Sequence, residues 1–327
     1  MDTTEKTFRE ISAFWLNAKR PLVRHSTLCA YLLSLRTHLL PHFGGATSIS
    51  ESDVQQFVLS KCSSGLSTKT VRDIVAVLRS VVKYADKWKM FKAEEWDVRN
   101  PAPQAKSSRP RVLTMSDQRK LMRHLRERPT AHNMGILLAL CTGMRIGEVC
   151  ALKWDDVDLA QKTITVRHTV GRVYNCELKA TERVQSSPKT KNSCRELPIS
   201  RQLHEALRTL RSRSRSPYVV GSGTRPSEPR SLREHHNRLL RSLGIGHIVF
   251  HGLRHTFATR CVESQCDYKT ISAILGHANV ATTLNLYVHP DISQKRRCVE
   301  RMSRFVETPT RKIATFADGE QNRLPTP

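Results

Sequence analysis

The chain is 327 residues long and 39% hydrophobic, with 54 Lys and Arg against 29 Asp and Glu, a formal net charge of +25 and a pI near 10.2. That length suits two compact units with ordinary cores, and the basic surplus goes beyond solubility and points to a polyanionic partner, nucleic acid first. A membrane partner is excluded for want of a bilayer-length apolar run, a basic amphipathic segment or a lipidation signal, and with no secretory leader in view the expected location is cytoplasmic and nucleoid-associated.

The first 99 residues read as a helical bundle. Phe8, Ile11, Trp15 and Leu16 mark one helix over 8–19; a second is expected over 26–40, stopping before Pro41 and the Gly44-Gly45 pair. Ser50 with Asp53 is a capping start for a third, ending near 63–65. The fourth, from Ser67, sets Val71, Ile74, Val75, Leu78, Val81, Val82 and Ala85 on one stripe, with Lys69, Arg72, Arg79 and Lys83 largely off it. Residues 100–111, with three prolines, two serines and no periodicity, read as a linker.

A second unit is expected over 112–306. It opens with a helix near Ser116 and a strongly apolar one over 134–141, broken at Gly143; Arg145 starts the next, to about Leu152. A strand is expected over 163–170 after a turn at Asp158, and a second alternating patch over 187–199 puts Lys189, Lys191 and Asn192 at a hairpin tip. From 201 to 241, ten arginines face three glutamates on two helices and their link, a composition suited to phosphate contact. His251 and Arg254 stand three apart at a helix start, where phosphates bind. Gly276 ends the next helix and leaves His277 on the turn beyond it. Tyr287 follows ten residues later, a short basic helix covers 294–305, and 307–327 has the composition of a disordered tail. Nine cysteines, odd in number and sparse, read as reduced thiols; Cys261 and Cys266 lack the doubled short spacing of a zinc site, so no metal is expected.

Thr142-Gly143-Met144-Arg145-Ile146-Gly147-Glu148, Pro188-Lys189-Thr190-Lys191, His251-Gly252-Leu253-Arg254-His255-Thr256, Leu275-Gly276-His277 and Asn285-Leu286-Tyr287, in this order, resemble the active site of the tyrosine recombinases, the phage integrase family. The motifs span 142–289; the amino-terminal unit matches only in kind. The resemblance implies a mainly α fold with a small β-sheet: a helical core-binding bundle and an α+β catalytic domain. It also implies double-stranded DNA as the partner, four protomers on two DNA sites with a monomer allowed in its absence, the common exchange of a carboxy-terminal segment, for which 294–305 is the candidate, and room for accessory DNA-bending proteins.

Rejoining DNA without ATP requires that the phosphodiester energy be held in a covalent bond to a side chain. By the resemblance Tyr287 is that nucleophile, forming a 3′-phosphotyrosine and releasing a 5′-hydroxyl. Arg145 and Arg254 would stabilise the charge that spreads over the non-bridging oxygens, with His277 adding a hydrogen bond; Lys189 would protonate the departing oxygen and His251 assist proton transfer at the tyrosine. Cations of this number make a metal or other cofactor unnecessary. Glu148 could hold Arg145 or its neighbours, His255 has a supporting place, and Lys191 shares a strand face with Lys189. A type IB topoisomerase and a non-cleaving DNA-binding regulator on the same scaffold are the rival readings.

Overall fold

The computed structural model describes residues 6–90, 96–98, 111–175, 178–186, 194–221, 223–277, 279–287 and 292–307. Residues 100–110 of the linker expected over 100–111 and 308–327 of the tail expected over 307–327 lie outside them, as do Lys189, Lys191 and Asn192, while Glu307 ends a helix.

Helix α1 (Phe8–Lys19) begins on a capping box: Thr7 Oγ1 accepts from the Glu10 N–H, and the Glu10 carboxylate accepts from the Thr7 N–H. Helix α2 (His25–Ser34) does not stop before Pro41. It runs through a π-helical turn at Leu35–Leu39 into α3 (Leu40–Phe43), which carries Pro41 in its first turn. Proline lacks an N–H and crowds the carbonyl four residues back. The wider turn, in which the Leu40 N–H reaches the Leu35 carbonyl, absorbs that mismatch, so the expected stop is corrected. Helix α4 (Glu51–Ser63) starts on the Ser50–Asp53 capping box and α5 (Thr68–Lys87) on Ser67. The α5 stripe is buried throughout, and Val77 beside it as well, against Trp15, Leu39, Val54 and Phe57.

A second buried cluster forms around α7 (Ala131–Thr142), preceded by α6 (Met115–Glu127) and followed by α8 (Ile146–Ala151). Helix α7 is apolar on every side and is correspondingly surrounded. After a 3₁₀ turn at Trp154–Asp156 the described residues hold five strands: β1 (Val157–Asp158), β2 (Thr163–Val166), β3 (Thr169–Asn175), β4 (Ala180–Ser186) and β5 (Arg195–Pro198). They make two antiparallel sheets, one ordered β1-β2-β5 and the other the hairpin β3-β4. The single strand expected over 163–170 is therefore two strands in different sheets. The break falls at Arg167, whose guanidinium donates to buried Asp156 at 3.1 Å. Of the patch expected over 187–199, residues 187–193 lie outside the described ones, and the described remainder holds β5, which pairs with β2 and not with β4. Strand β4 escapes sequence reading because it is polar on both faces and has no apolar period.

The chain continues through α9 (Arg201–Arg211), α10 (Pro229–Ser242), α11 (His251–Glu263), α12 (Tyr268–Leu275), α13 (Val280–Tyr287) and α14 (Ile292–Glu307), the last starting two residues earlier than expected. Helix α11 packs on α7, and the segment entering α6 is pinned to it, since Thr256 Oγ1 accepts from the Leu113 N–H at 3.0 Å. The amino-terminal helices meet the rest where α2 lies against β3, with His25 Nε2 3.6 Å from a Glu182 oxygen. None of the described helices is long and apolar enough to cross a membrane.

Candidate active site

Helix α7 ends because Gly143 adopts a left-handed conformation, φ 67°. The position also lacks room. A Cβ there would stand 2.7 Å from Leu275 Cδ2 and 2.7 Å from Phe257 Cδ1, so α7, α11 and α12 converge on a residue where any side chain would force its neighbours to shift. This turn sets Arg145 at the N-cap of α8, where its N–H donates to the Glu148 carboxylate at 2.9 Å.

The carboxy-terminal end of α12 is the meeting point. Helix ends leave their last carbonyls without intrahelical partners and carry partial negative charge. Here three guanidiniums take three successive carbonyls: Arg195 donates to Ile274, Arg254 to Leu275 at 2.7 Å and Arg145 to Gly276 at 3.3 Å. Arg254 also donates to the Gly143 carbonyl at 2.8 Å, which ties α11 to the end of α7. His277 follows immediately, delivered by the left-handed Gly276. Four sequence-predicted residues, Arg145, Arg254, His277 and His251, are thus brought to one place, although Arg145 lies 131 positions from Gly276.

Glu148, 3% exposed, accepts from Arg145 Nη1 at 2.9 Å and from Arg195 Nη1 and Nη2 at 3.2 and 2.9 Å. Burial raises its carboxyl, but the hydrogen bonds and charge of Arg195, and then Arg145, outweigh that and hold it below the ordinary carboxylate range. Arg195 is the residue that sequence reading missed. A signal existed: on β5 it is in phase with Leu197, which is fully buried, so its side chain turns inward and requires an acid.

The three histidines of the site, His277, His251 and His255, are all pulled below the ordinary imidazole range. His277 is pulled down to about 4, by burial first and then by Arg254, Arg145, Arg195 and His251. Its Nδ1 lies 2.8 Å from Thr283 Oγ1 on α13. If the threonine hydroxyl donates, the ring proton sits on Nε2, available to a phosphate oxygen. His251 stands at the rim, lowered by partial burial, then by Arg254 and Arg145. His255 packs edge-on against it with ring centroids 4.7 Å apart, and is itself pulled down to about 4 by burial, His251 and Arg254.

Tyr287 is the last residue of α13, which packs on α11 and α12; its side chain, like the whole of Lys189, is outside the described residues. Among the described residues no group of three or more His, Cys, Asp or Glu is placed to hold a metal ion. The arrangement can hold an anion: two arginines and a neutral histidine at one helix end, braced by a buried carboxylate.

A model of the phage integrase family matches residues 111–294, and one of the phage integrase N-terminal SAM-like domain matches 7–61. A tyrosine recombinase XerC-like protein of Caldanaerobacter subterraneus is 27% identical over 292 residues, 80% of this chain and 73% of its own. The transposase from transposon Tn916 of Enterococcus faecalis is 26% identical over 313 residues, 88% and 75% of the two chains. Among solved structures, the Tn1549 transposon integrase in complex with a circular intermediate DNA superposes with a TM-score of 0.74 at 22% identity, over 90% of this chain and 99% of that one. A lambda integrase tetramer bound to a Holliday junction gives 0.63 at 16%, over 88% and 80%. At these identities the likeness establishes the fold: a helical amino-terminal unit, then a mainly helical one with small antiparallel sheets, as the sequence predicts.

Proposed function

The chain belongs to the phage integrase family, and from that premise we propose that it is a site-specific DNA recombinase that cuts and rejoins duplex DNA to integrate and excise a mobile element. The observation that carries the reading is the junction at the end of α12, where Arg145, Arg254 and His277 come together. The transposon relatives and the DNA-bound integrases of the same fold support the substrate and the element served.

In this reading the Tyr287 oxygen attacks the scissile phosphorus and the bond to the 5′ oxygen breaks. The 5′ oxygen leaves with a proton from Lys189, and the phosphate stays on the enzyme as a 3′-phosphotyrosine. A free tyrosine ionises near pH 10, so His251, held neutral by its surroundings, is in the form that takes the phenolic proton. Arg145 and Arg254 oppose the charge spreading over the non-bridging oxygens, and the burial of Arg254, 2% exposed, strengthens its field. A phosphate at this site would offset the cations that depress His277. Rejoining is the reverse, with the 5′-hydroxyl of a partner strand as nucleophile.

The protein would close around DNA as two domains, 1–99 and 112–306, and act as four protomers on two sites, with α14 exchanged between neighbours. Ile292, Val299, Met302 and Val306 support this; spaced by seven, three and four residues, they form one exposed apolar stripe on α14. Accessory DNA-bending proteins and a nucleoid location complete the reading.

The test is a nicked duplex built from the paired repeats flanking the gene, incubated with the protein in EDTA and run on a denaturing gel. A covalent adduct is expected, lost in Tyr287→Phe while DNA binding persists. No wild-type adduct would sink the proposal; relaxation of supercoils without strand exchange would move it to a type IB topoisomerase.

A further inference from the structure

We propose that Arg195 is a positioning residue for strand cleavage: it locks Glu148 to the end of α12 and thereby fixes Arg145 and His277 toward the phosphate. The assignment rests on the recombinase reading above. The Arg195 side chain is 7% exposed, and all three guanidinium nitrogens are engaged, Nε with the Ile274 carbonyl and the two Nη atoms with both oxygens of Glu148. Those same oxygens accept from the side chain and the N–H of Arg145, whose Nη2 returns to the Gly276 carbonyl, two residues beyond Ile274. The hydrogen bonds therefore close a ring: Arg195, Glu148, Arg145, the last turn of α12, and Arg195 again.

With its side chain 7% exposed and all three guanidinium nitrogens committed to Glu148 and the Ile274 carbonyl, Arg195 acts through the others. Arg145 carries the exposed end of the ring, 38% exposed, and His277 leaves it one residue after Gly276. Arg195 also sits on β5, six residues after Lys189, and so anchors the strand into which the lysine-bearing segment runs. Lysine cannot replace it: a single ammonium does not span both carboxylate oxygens and a carbonyl in a fixed plane.

The full chain is tested as wild type, Arg195→Gln, Arg195→Lys, Glu148→Gln and the double Glu148→Gln/Arg195→Gln. Each is assayed on the nicked duplex for affinity and for single-turnover adduct formation, and melting curves keep every assay below the unfolding range. Affinity is expected to hold while both Arg195 variants lose adduct formation by about 100-fold, the scale of a misplaced reacting geometry. The double variant should be no slower than the slower single, because both changes open one ring.

A second duplex carries a methylphosphonate at the scissile position. Its neutral methyl replaces one charged oxygen and lessens the demand on Arg145. There the loss should shrink several-fold. A merely structural role lowers the active fraction equally on both duplexes and leaves the ratio unmoved, which overturns the assignment, as would full rate in Arg195→Lys or additive losses in the double variant. Absence of adduct from the wild type instead overturns the recombinase reading, and this assignment with it.

Discussion

Replacing Glu148 by glutamine is an isosteric change that tests the central brace without removing volume. Each carboxylate oxygen accepts two hydrogen bonds, from Arg145 Nη1 and Arg195 Nη1 on one side and from the Arg145 N–H and Arg195 Nη2 on the other. Glutamine keeps one acceptor oxygen and turns an NH₂ toward two donors, so two of the four bonds are lost. Net values of about 1.5–3 kcal/mol per hydrogen bond to a charged group apply. The half involving Arg145 is discounted because that side chain is 38% exposed, whereas Arg195 at 7% becomes an uncompensated buried cation. The expected destabilisation is about 3 kcal/mol, read by urea unfolding near pH 7. The pH dependence gives a second handle. The folded carboxyl lies below its unfolded value, so its stabilisation is complete above the unfolded value, near 4.5, and disappears as pH falls through the folded one. Wild type should therefore converge on Glu148→Gln in acid. A loss under about 1 kcal/mol near pH 7, or parallel pH profiles, would refute the brace.

Gly143→Ala forces a left-handed conformation on an L residue, costing about 1 kcal/mol. It also drives a Cβ to 2.7 Å from both Leu275 and Phe257, overpacking worth about 1–3 kcal/mol. A melting curve should show a summed loss of about 2–4 kcal/mol, and slower adduct formation should accompany it because the Gly143 carbonyl anchors Arg254. His236 is fully buried, edge-on to Phe250 at 5.4 Å. Neither ring nitrogen makes a well-formed hydrogen bond, although Asn237 stands near enough to offset part of the effect of burial. Burial pulls this imidazole down to about 4 from 6.5, so the unfolded chain takes up a proton first and stability falls between those pH values, by up to about 3 kcal/mol. His236→Leu should flatten that window while preserving stability at pH 8; an unchanged acid slope would assign the loss to other groups.

Much of this molecule is readable residue by residue because its signals are local. The caps at Thr7, Ser50 and Ser67, the stripe of α5, and the glycine stops at Gly143 and Gly276 each depend on neighbours within a few positions. The motif set placed Arg145, His251, Arg254 and His277 on the right elements for the same reason. Where the local signal was absent or misleading, the reading failed: β4 has no apolar face, and Pro41 stays within a helical run because the preceding turn widens.

Local signals alone give the order of the helices and the element that carries each of Arg145, His251, Arg254 and His277. Packing sets the division of labour among three arginines that look alike in sequence. Arg145, Arg195 and Arg254 all donate to one helix end, but burial separates the first, 38% exposed, from the two locked within, Arg195 on Glu148, 47 positions away, and Arg254 on the Gly143 carbonyl, 111 positions away. Those partners come from elements far apart in the chain, and their convergence is a property of packing that no spacing along the sequence encodes.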